Sequence, residues 1–357
     1  MKKHIILISI SIIIFSCKKD FNTSNRTANL HFSNDTVIFD TTFQSIGTST
    51  KTLIVYNQND FGIKTNVHLE ASNYGSFRIN IDGNPISQGN NMEVEIFAND
   101  SIFIFLEVTP NQQSSNEFLL TNLLNFKTGK NEQKIHLVSP GKNAIFHIQH
   151  DNFINDTINY KYYSVNKNTT WTNDLPHVIY GQVVIEPGVE LIIEEGTKIY
   201  FHYNSGIIVG NPIYANNTGS SLKIKGKINN KVILQGDRFD TWYQDSPGQW
   251  NKIWMTPGSI NNEIDYAIIR NGSIGIHVDT IGNNQPTLTI QNSIIENMSN
   301  IGILGQGTHI EANNTIISKC GQYTVACNIG GNYNFTHCTF ANYWNYGQSG
   351  SRNTPSI

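Results

Sequence analysis

The chain has 357 residues, of which 14% are charged, for a net charge of −3. That length holds two or three domains, and the lack of a basic patch excludes nucleic acid as the expected partner. Asn, Gly, Ser and Thr fill the polar positions, which suits stacked β structure, where like charges on successive rungs lie about 5 Å apart and repel.

Met1-Lys2-Lys3 is a short basic region, and Ile5 to Phe15 is apolar except for two serines. The run is shorter than the roughly 20 residues needed to span a bilayer, so residues 1–16 read as a signal peptide. It ends in Ile14-Phe15-Ser16-Cys17, which resembles the lipobox of bacterial lipoproteins. That resemblance implies cleavage before Cys17 and acylation of its thiol and new N-terminus, giving a membrane partner through lipid; two or three chains anchor stably where one does not. The alternative is an ordinary secretory signal with an incidental cysteine. Lys18-Lys19-Asp20 is similar to the export tag of Bacteroidetes surface lipoproteins, implying a surface-exposed place on the outer membrane. Residues 17–30, rich in Asn, Thr and Ser, read as a tether.

From His31 to Pro140 short alternating strands dominate: Thr36–Asp40, Thr52–Asn57, Asn66–Glu70, Ser76–Ile81, Met92–Ile96, Ser101–Val108, Phe118–Phe126 and Gln133–Val138. About eight strands punctuated by turns such as Asp82-Gly83-Asn84-Pro85 predict an immunoglobulin-like sandwich over 31–140. The phrases Phe39-Asp40-Thr41, Leu53-Ile54-Val55-Tyr56-Asn57 and Glu107-Val108-Thr109-Pro110 resemble bacterial Ig-like domains, which implies a spacer or contact module. Ser139-Pro140-Gly141-Lys142-Asn143 reads as a domain boundary. Residues 141–176, with Tyr160, Tyr162, Tyr163 and Trp171, read as a linker and a cap over the first rung of a solenoid.

That solenoid is expected over 177–357. Three β-branched runs between Val183 and Phe201 are split by Pro187-Gly188 and Glu195-Gly196-Thr197. Four near-repeats follow, and aligning Ile268, Ile294, Ile316 and Phe340 spaces them 26, 22 and 24 residues apart. Ile276, Ile303 and Val325 form a second apolar beat. The phrases Ile185-Glu186-Pro187-Gly188-Val189, Ile193-Glu194-Glu195-Gly196-Thr197 and Leu222-Lys223-Ile224-Lys225-Gly226 look like Bacteroidetes right-handed parallel β-helix lipoproteins. The fold class expected is therefore all-β, an Ig-like sandwich followed by a right-handed parallel β-helix. In that family the phrase corresponding to the stretch after Tyr343-Trp344 leads into further coils, so the resemblance also implies a truncated product.

Parallel β-helices host polysaccharide lyases and glycoside hydrolases, so the repeats were read down their columns for chemistry. Hydrolysis needs two carboxylates about 5–10 Å apart. One column reads Asp265, Gln291, Asn313, His337 and another Arg270, Glu296, Ser318, Asn342, neither with acids on successive rungs. Asp265 and Arg270 form a possible surface ion pair, and Asp237, Arg238, Asp240 and Asp245 a possible acidic cluster or solvated loop. Asn292 and Asn314 share a turn column, as a structural amide ladder does. His277, His309 and His337 fall in different phases, and Cys320, Cys327 and Cys338 lack zinc spacing, so no metal or cofactor is expected and the cysteines read as buried core residues.

The candidate ligand platform is the aromatic insertion, with Trp242, Tyr243, Trp250 and Trp254 offering flat faces to sugar rings. The alternative is that these side chains pack over the flank of the solenoid. A platform predicts that Trp242→Ala and Trp250→Ala abolish glycan binding without lowering stability. The function expected is a non-catalytic binding or adhesion module for polysaccharide, extracellular matrix or a surface protein. A β-helix lyase or hydrolase and a purely structural envelope spacer are the alternatives.

Overall fold

The computed structural model describes residues 23–154, 159–213, 218–279 and 285–344. Its regular structure is all strand. The chain divides into two compact units, Met1–Gln113 with Glu117–Gly141, and Ser114–Asn116 with Lys142–Ile357.

The first unit is a two-sheet sandwich. Thr23–Ser24, Gly62–Leu69, Glu117–Thr128, Asn131–Lys142 and Thr36–Ile38 form the larger sheet, with Thr42–Phe43 and Asn91–Ile96 also paired into it. His31–Phe32, Lys51–Asn57, Asp100–Pro110, Gly75–Ile81 and Asn84–Ser87 form the smaller one. Alternation decides which face is buried: Ile104, Leu106 and Val108 point in, whereas Phe103 and Phe105 point out. The Asp82-Gly83 turn carries positive φ at both residues, 47° and 86°, the geometry that matches the right-handed twist of its flanking strands.

One expectation about this unit needs correction. The tether does not extend to residue 30: Thr23–Ser24 pairs in parallel with Gly62–Ile63, and Ala28 and Leu30 are buried in the sandwich core. The units part between Gly141 and Lys142, within the stretch Ser139-Pro140-Gly141-Lys142-Asn143, and the strand Asn131–Lys142 runs up to that point.

The second unit is a parallel β-helix with three sheets. The first contains Asn159–Val165, Gln182–Ile185, Gly206–Val209, Ile253–Met255 and Ile274–Asp279; the second contains Thr169–Trp171, Glu190–Glu194, Ser221–Lys225, Asn262–Asp265 and Leu288–Gln291. Ile301–Asn313 and Tyr323–Thr336 run through both sheets, with a register shift between Gln306 and Thr308. The third sheet is eight-stranded and runs from Ile145–Ile148 to Thr339–Ala341. Inward residues stack into one continuous aliphatic core, including Ile207, Ile253, Ile276, Ile303 and Val325, which register places on successive rungs. Residues 141–176 are thus more than linker and cap, since Asn159–Val165 and Thr169–Trp171 already pair as strands of the first coil.

The repeat alignment is also off by one at its last rung. Ile268, Ile294 and Ile316 pair with Thr339, while Ile269, Ile295 and Ile317 pair with Phe340. The second set is the inner one, with Ile269, Ile295 and Ile317 fully buried and Phe340 packed partly buried against the core, whereas Ile316 is 44% exposed. A one-residue slip in a strand exchanges faces, and doublets such as Ile316-Ile317 hide which isoleucine points in. The columns therefore end in Thr336 and Ala341 rather than His337 and Asn342.

The corners explain the Asn usage. Tyr266, Asn292, Asn314 and His337 each turn the chain with positive φ between 46° and 54°, a region Asn tolerates better than most residues. Asn314 Nδ2 donates to Asn292 Oδ1 at 2.8 Å, and Asn292 Nδ2 donates to Asp265 Oδ1 at 2.9 Å, so the ladder rises rung by rung.

Candidate functional site

Cys17 lies outside the described residues. The four aromatics of the insertion occupy separate environments. Trp250 is 1% exposed, stacks on Phe201 with centroids 4.3 Å apart, and donates its Nε1–H to Arg270 O at 2.9 Å. It is a core residue, and the expectation that it faces a ligand is overturned by that burial. Trp242 is 83% exposed. Tyr243 lies under the Arg238 guanidinium at 4.1 Å, and Arg238 Nε also bonds Asp240 at 2.9 Å. Asp265 and Arg270 do not pair either, because Asp265 accepts from Asn292 and Arg270 Nε donates to Gln235 at 2.8 Å.

Trp254 sits elsewhere, on the outer surface of the first sheet. In the strand Ile253–Met255, Ile253 and Met255 point into the core, so Trp254 points out. Register stacks it between Ile208 and His277 on the adjacent rungs. Parallel in-register strands hold such side chains about 4.8 Å apart, so their flat faces meet each other rather than solvent. The Trp254 and His277 rings accordingly lie 7° from parallel with centroids 5.8 Å apart. Below them Tyr160, Tyr162, Val184 and Ile208 extend an apolar strip.

Polar groups line this strip. Lys252 Nζ lies 4.7 Å over the Trp254 ring and 3.0 Å from His277 Nδ1. His277 Nε2 lies 2.7 Å from Gln306 Oε1. An amide oxygen only accepts, so Nε2 carries the proton and Nδ1 accepts from the lysine. Burial pushes the pKa of His277 down against the opposing Gln306 bond, and burial likewise lowers that of Lys252, with Asp279 pulling the other way. Both ring nitrogens of His277 are occupied, so this cluster presents a held cation and an aromatic edge and leaves no free base on that ring.

One oriented histidine does stand at the corner leading into the first sheet. His202 Nδ1 bonds Asp237 Oδ2 at 2.9 Å, its ring stacks on Tyr180 at 4.3 Å, and it is about half exposed. A carboxylate on Nδ1 fixes the tautomer that leaves Nε2 as an acceptor. Asp237 is therefore tied to a neighbouring rung rather than solvated in a loop. Among the described residues no group of three or more His, Cys, Asp or Glu is placed to hold a metal. Of the cysteines, Cys320 is core, its thiol pushed up to about 12 by burial, but Cys327 is exposed and Cys338 half-buried, so the expectation of three core cysteines holds only for the first.

Lys252, His277 and Gln306 were not singled out in the sequence as a group. The signal was the alternation Lys252-Ile253-Trp254-Met255 and Ile276-His277-Val278-Asp279, in which the aliphatics mark the inner face and their neighbours the outer one.

No protein-family model matches this chain, and no curated protein does. Solved structures with similar backbone courses include the catalytic unit of a thermostable GH87 alpha-1,3-glucanase from Streptomyces thermodiastaticus, at 9% identity, TM-score 0.28, over 80% of this chain and 54% of that one. The Agl-KA catalytic domain matches at 11% identity and TM-score 0.26, over 95% of this chain and 82% of that one. PapD-like domain 7 of human CEP192 matches at 12% identity and TM-score 0.22, over 36% of this chain and 94% of that domain. At these scores the likenesses carry no argument about this chain.

Proposed function

We propose that this chain is a lipid-anchored lipoprotein of the Bacteroidetes outer membrane, held through Cys17, that binds polysaccharide along the outer face of its β-helix without cleaving it. The observation that carries this reading is the Lys252–His277–Gln306 row beside Trp254, set against an apolar strip on one sheet. Sugars offer apolar C–H patches and hydroxyl groups, and a strip of stacked ring edges bordered by donors and acceptors meets both. A half-buried ammonium hydrogen-bonded to a neutral imidazole suits hydroxyl and acidic groups of a glycan.

A soluble form lacking the leader and Cys17 tests this on a polysaccharide array with and without calcium. Retention with no soluble product is the expected result. Product release, lost on His202→Ala, favours the degradative alternative, for which the His202–Asp237 pair is the supporting feature. Neither retention nor release leaves the spacer reading. Anchoring is tested separately: Cys17→Ala frees the protein from the membrane fraction, and persistence there contradicts lipidation.

A further inference from the structure

The sandwich carries a polar cleft that the β-helix reading does not use. It opens on the outer face of the larger sheet with a volume of about 380 Å³, at the small end of ligand sites. Its floor is one row across three adjacent strands, Asn125 opposite His68 and His68 opposite Asn91, with Asn66 next to it on the same face. Strands about 4.8 Å apart make that floor about 10 Å wide, the span of one or two sugar rings. Lys127, opposite Asn66, and Glu132 and Lys134 of the next strand line the cleft with longer side chains.

The groups are held in place. His68 Nδ1 lies 3.1 Å from Asn90 O, and because a carbonyl only accepts, Nδ1 carries the proton and Nε2 is an acceptor. Asn125 Nδ2 donates to Glu70 Oε1 at 3.1 Å, fixing both side chains. Asn66 and Asn91 each present an amide that donates and accepts. Lys134 adds a donor at the edge. The lining charges balance, two lysines against two glutamates, with Lys127 and Glu132 paired at 3.4 Å. A charged ligand finds no net opposite charge there, whereas vicinal hydroxyls meet one fixed acceptor and several donors.

We infer that this cleft is a second ligand site, for a neutral mono- or disaccharide unit. It is independent of the β-helix face. The test is saturation-transfer NMR on the mature chain in detergent micelles with cellobiose, maltose, lactose and N-acetylglucosamine, followed by titration of any sugar that responds. At least one sugar is expected to bind with Kd in the millimolar range typical of weak sites. His68→Ala and Lys134→Ala are each expected to weaken it several-fold and together about tenfold, with the circular-dichroism spectrum unchanged. Lys134 is exposed, so its variant keeps the test valid if His68→Ala perturbs the sheet. Lys252→Ala on the β-helix leaves this binding intact. The inference is overturned if none of the four sugars responds, if binding survives both cleft substitutions, or if Lys252→Ala removes it equally.

Discussion

Trp250→Ala separates a ligand platform from a core residue. The indole is 1% exposed, lies flat on Phe201, closes over Gly272, and holds the Arg270 carbonyl. Emptying a buried tryptophan site costs about 3–5 kcal/mol, and the carbonyl left without its donor adds about 1 kcal/mol. All five tryptophans lie at or after position 171, so their fluorescence reports the β-helix unit and not the sandwich. With a urea slope of about 3 kcal/mol per M for a unit of this size, the midpoint falls by about 1–2 M. Trp242→Ala, at a side chain 83% exposed, stays within about 0.5 kcal/mol. A Trp250→Ala midpoint indistinguishable from that of Trp242→Ala would place the indole outside the core and refute the packing described here.

The first coil predicts a pH dependence. His177 Nε2 donates to Thr172 O at 3.1 Å, so its Nδ1 accepts from His147 Nε2 at 2.9 Å, and the buried His147 Nδ1 has no partner. Burial, reinforced by the neighbouring His177, lowers the pKa of His147 to about 3, and burial also lowers that of His177. Below the unfolded value near 6.5 only the unfolded chain takes up these protons, so the stability is full above pH 6.5 and is lost as pH falls toward 3. His147 alone removes about 1.4 kcal/mol per pH unit in that window, and tryptophan-detected urea midpoints that stay flat from pH 7 to 5 contradict it. At the corners, Asn314→Ala costs about 1–2 kcal/mol by losing both the bond to Asn292 and the residue that tolerates φ of 47°, whereas Asn314→Gly loses mainly the bond; equal midpoints for the two variants contradict the strained-corner account.

The architecture was legible because burial alternates with period two in the sandwich and recurs every 22 to 26 residues in the repeats that follow Ile268. The errors came where pattern under-determines geometry. Isoleucine doublets carry the same hydropathy on both faces, so the sequence aligns Phe340 with the outer isoleucines Ile268, Ile294 and Ile316 instead of the inner ones. Trp250 and Trp254 are four apart and look alike in sequence, yet one follows a turn into the core and the other stands on a strand's outer face. Thr23 to Leu30 read as tether because its composition is polar, but backbone pairing to Gly62–Ile63 and the apolar side chains of Ala28 and Leu30 dock it. Lys252, His277 and Gln306 lie on three rungs, and only register brings them together.

The most direct measurement is the affinity of the soluble form for a retained polysaccharide, compared with Lys252→Ala and His277→Ala variants whose tryptophan-detected stability is intact. A binding face on the first sheet predicts an affinity loss of about tenfold or more in each variant, roughly the 1.4 kcal/mol of one charge-assisted contact, with no oligosaccharide released. Unchanged affinity in both variants, or release of product by the parent protein, contradicts it.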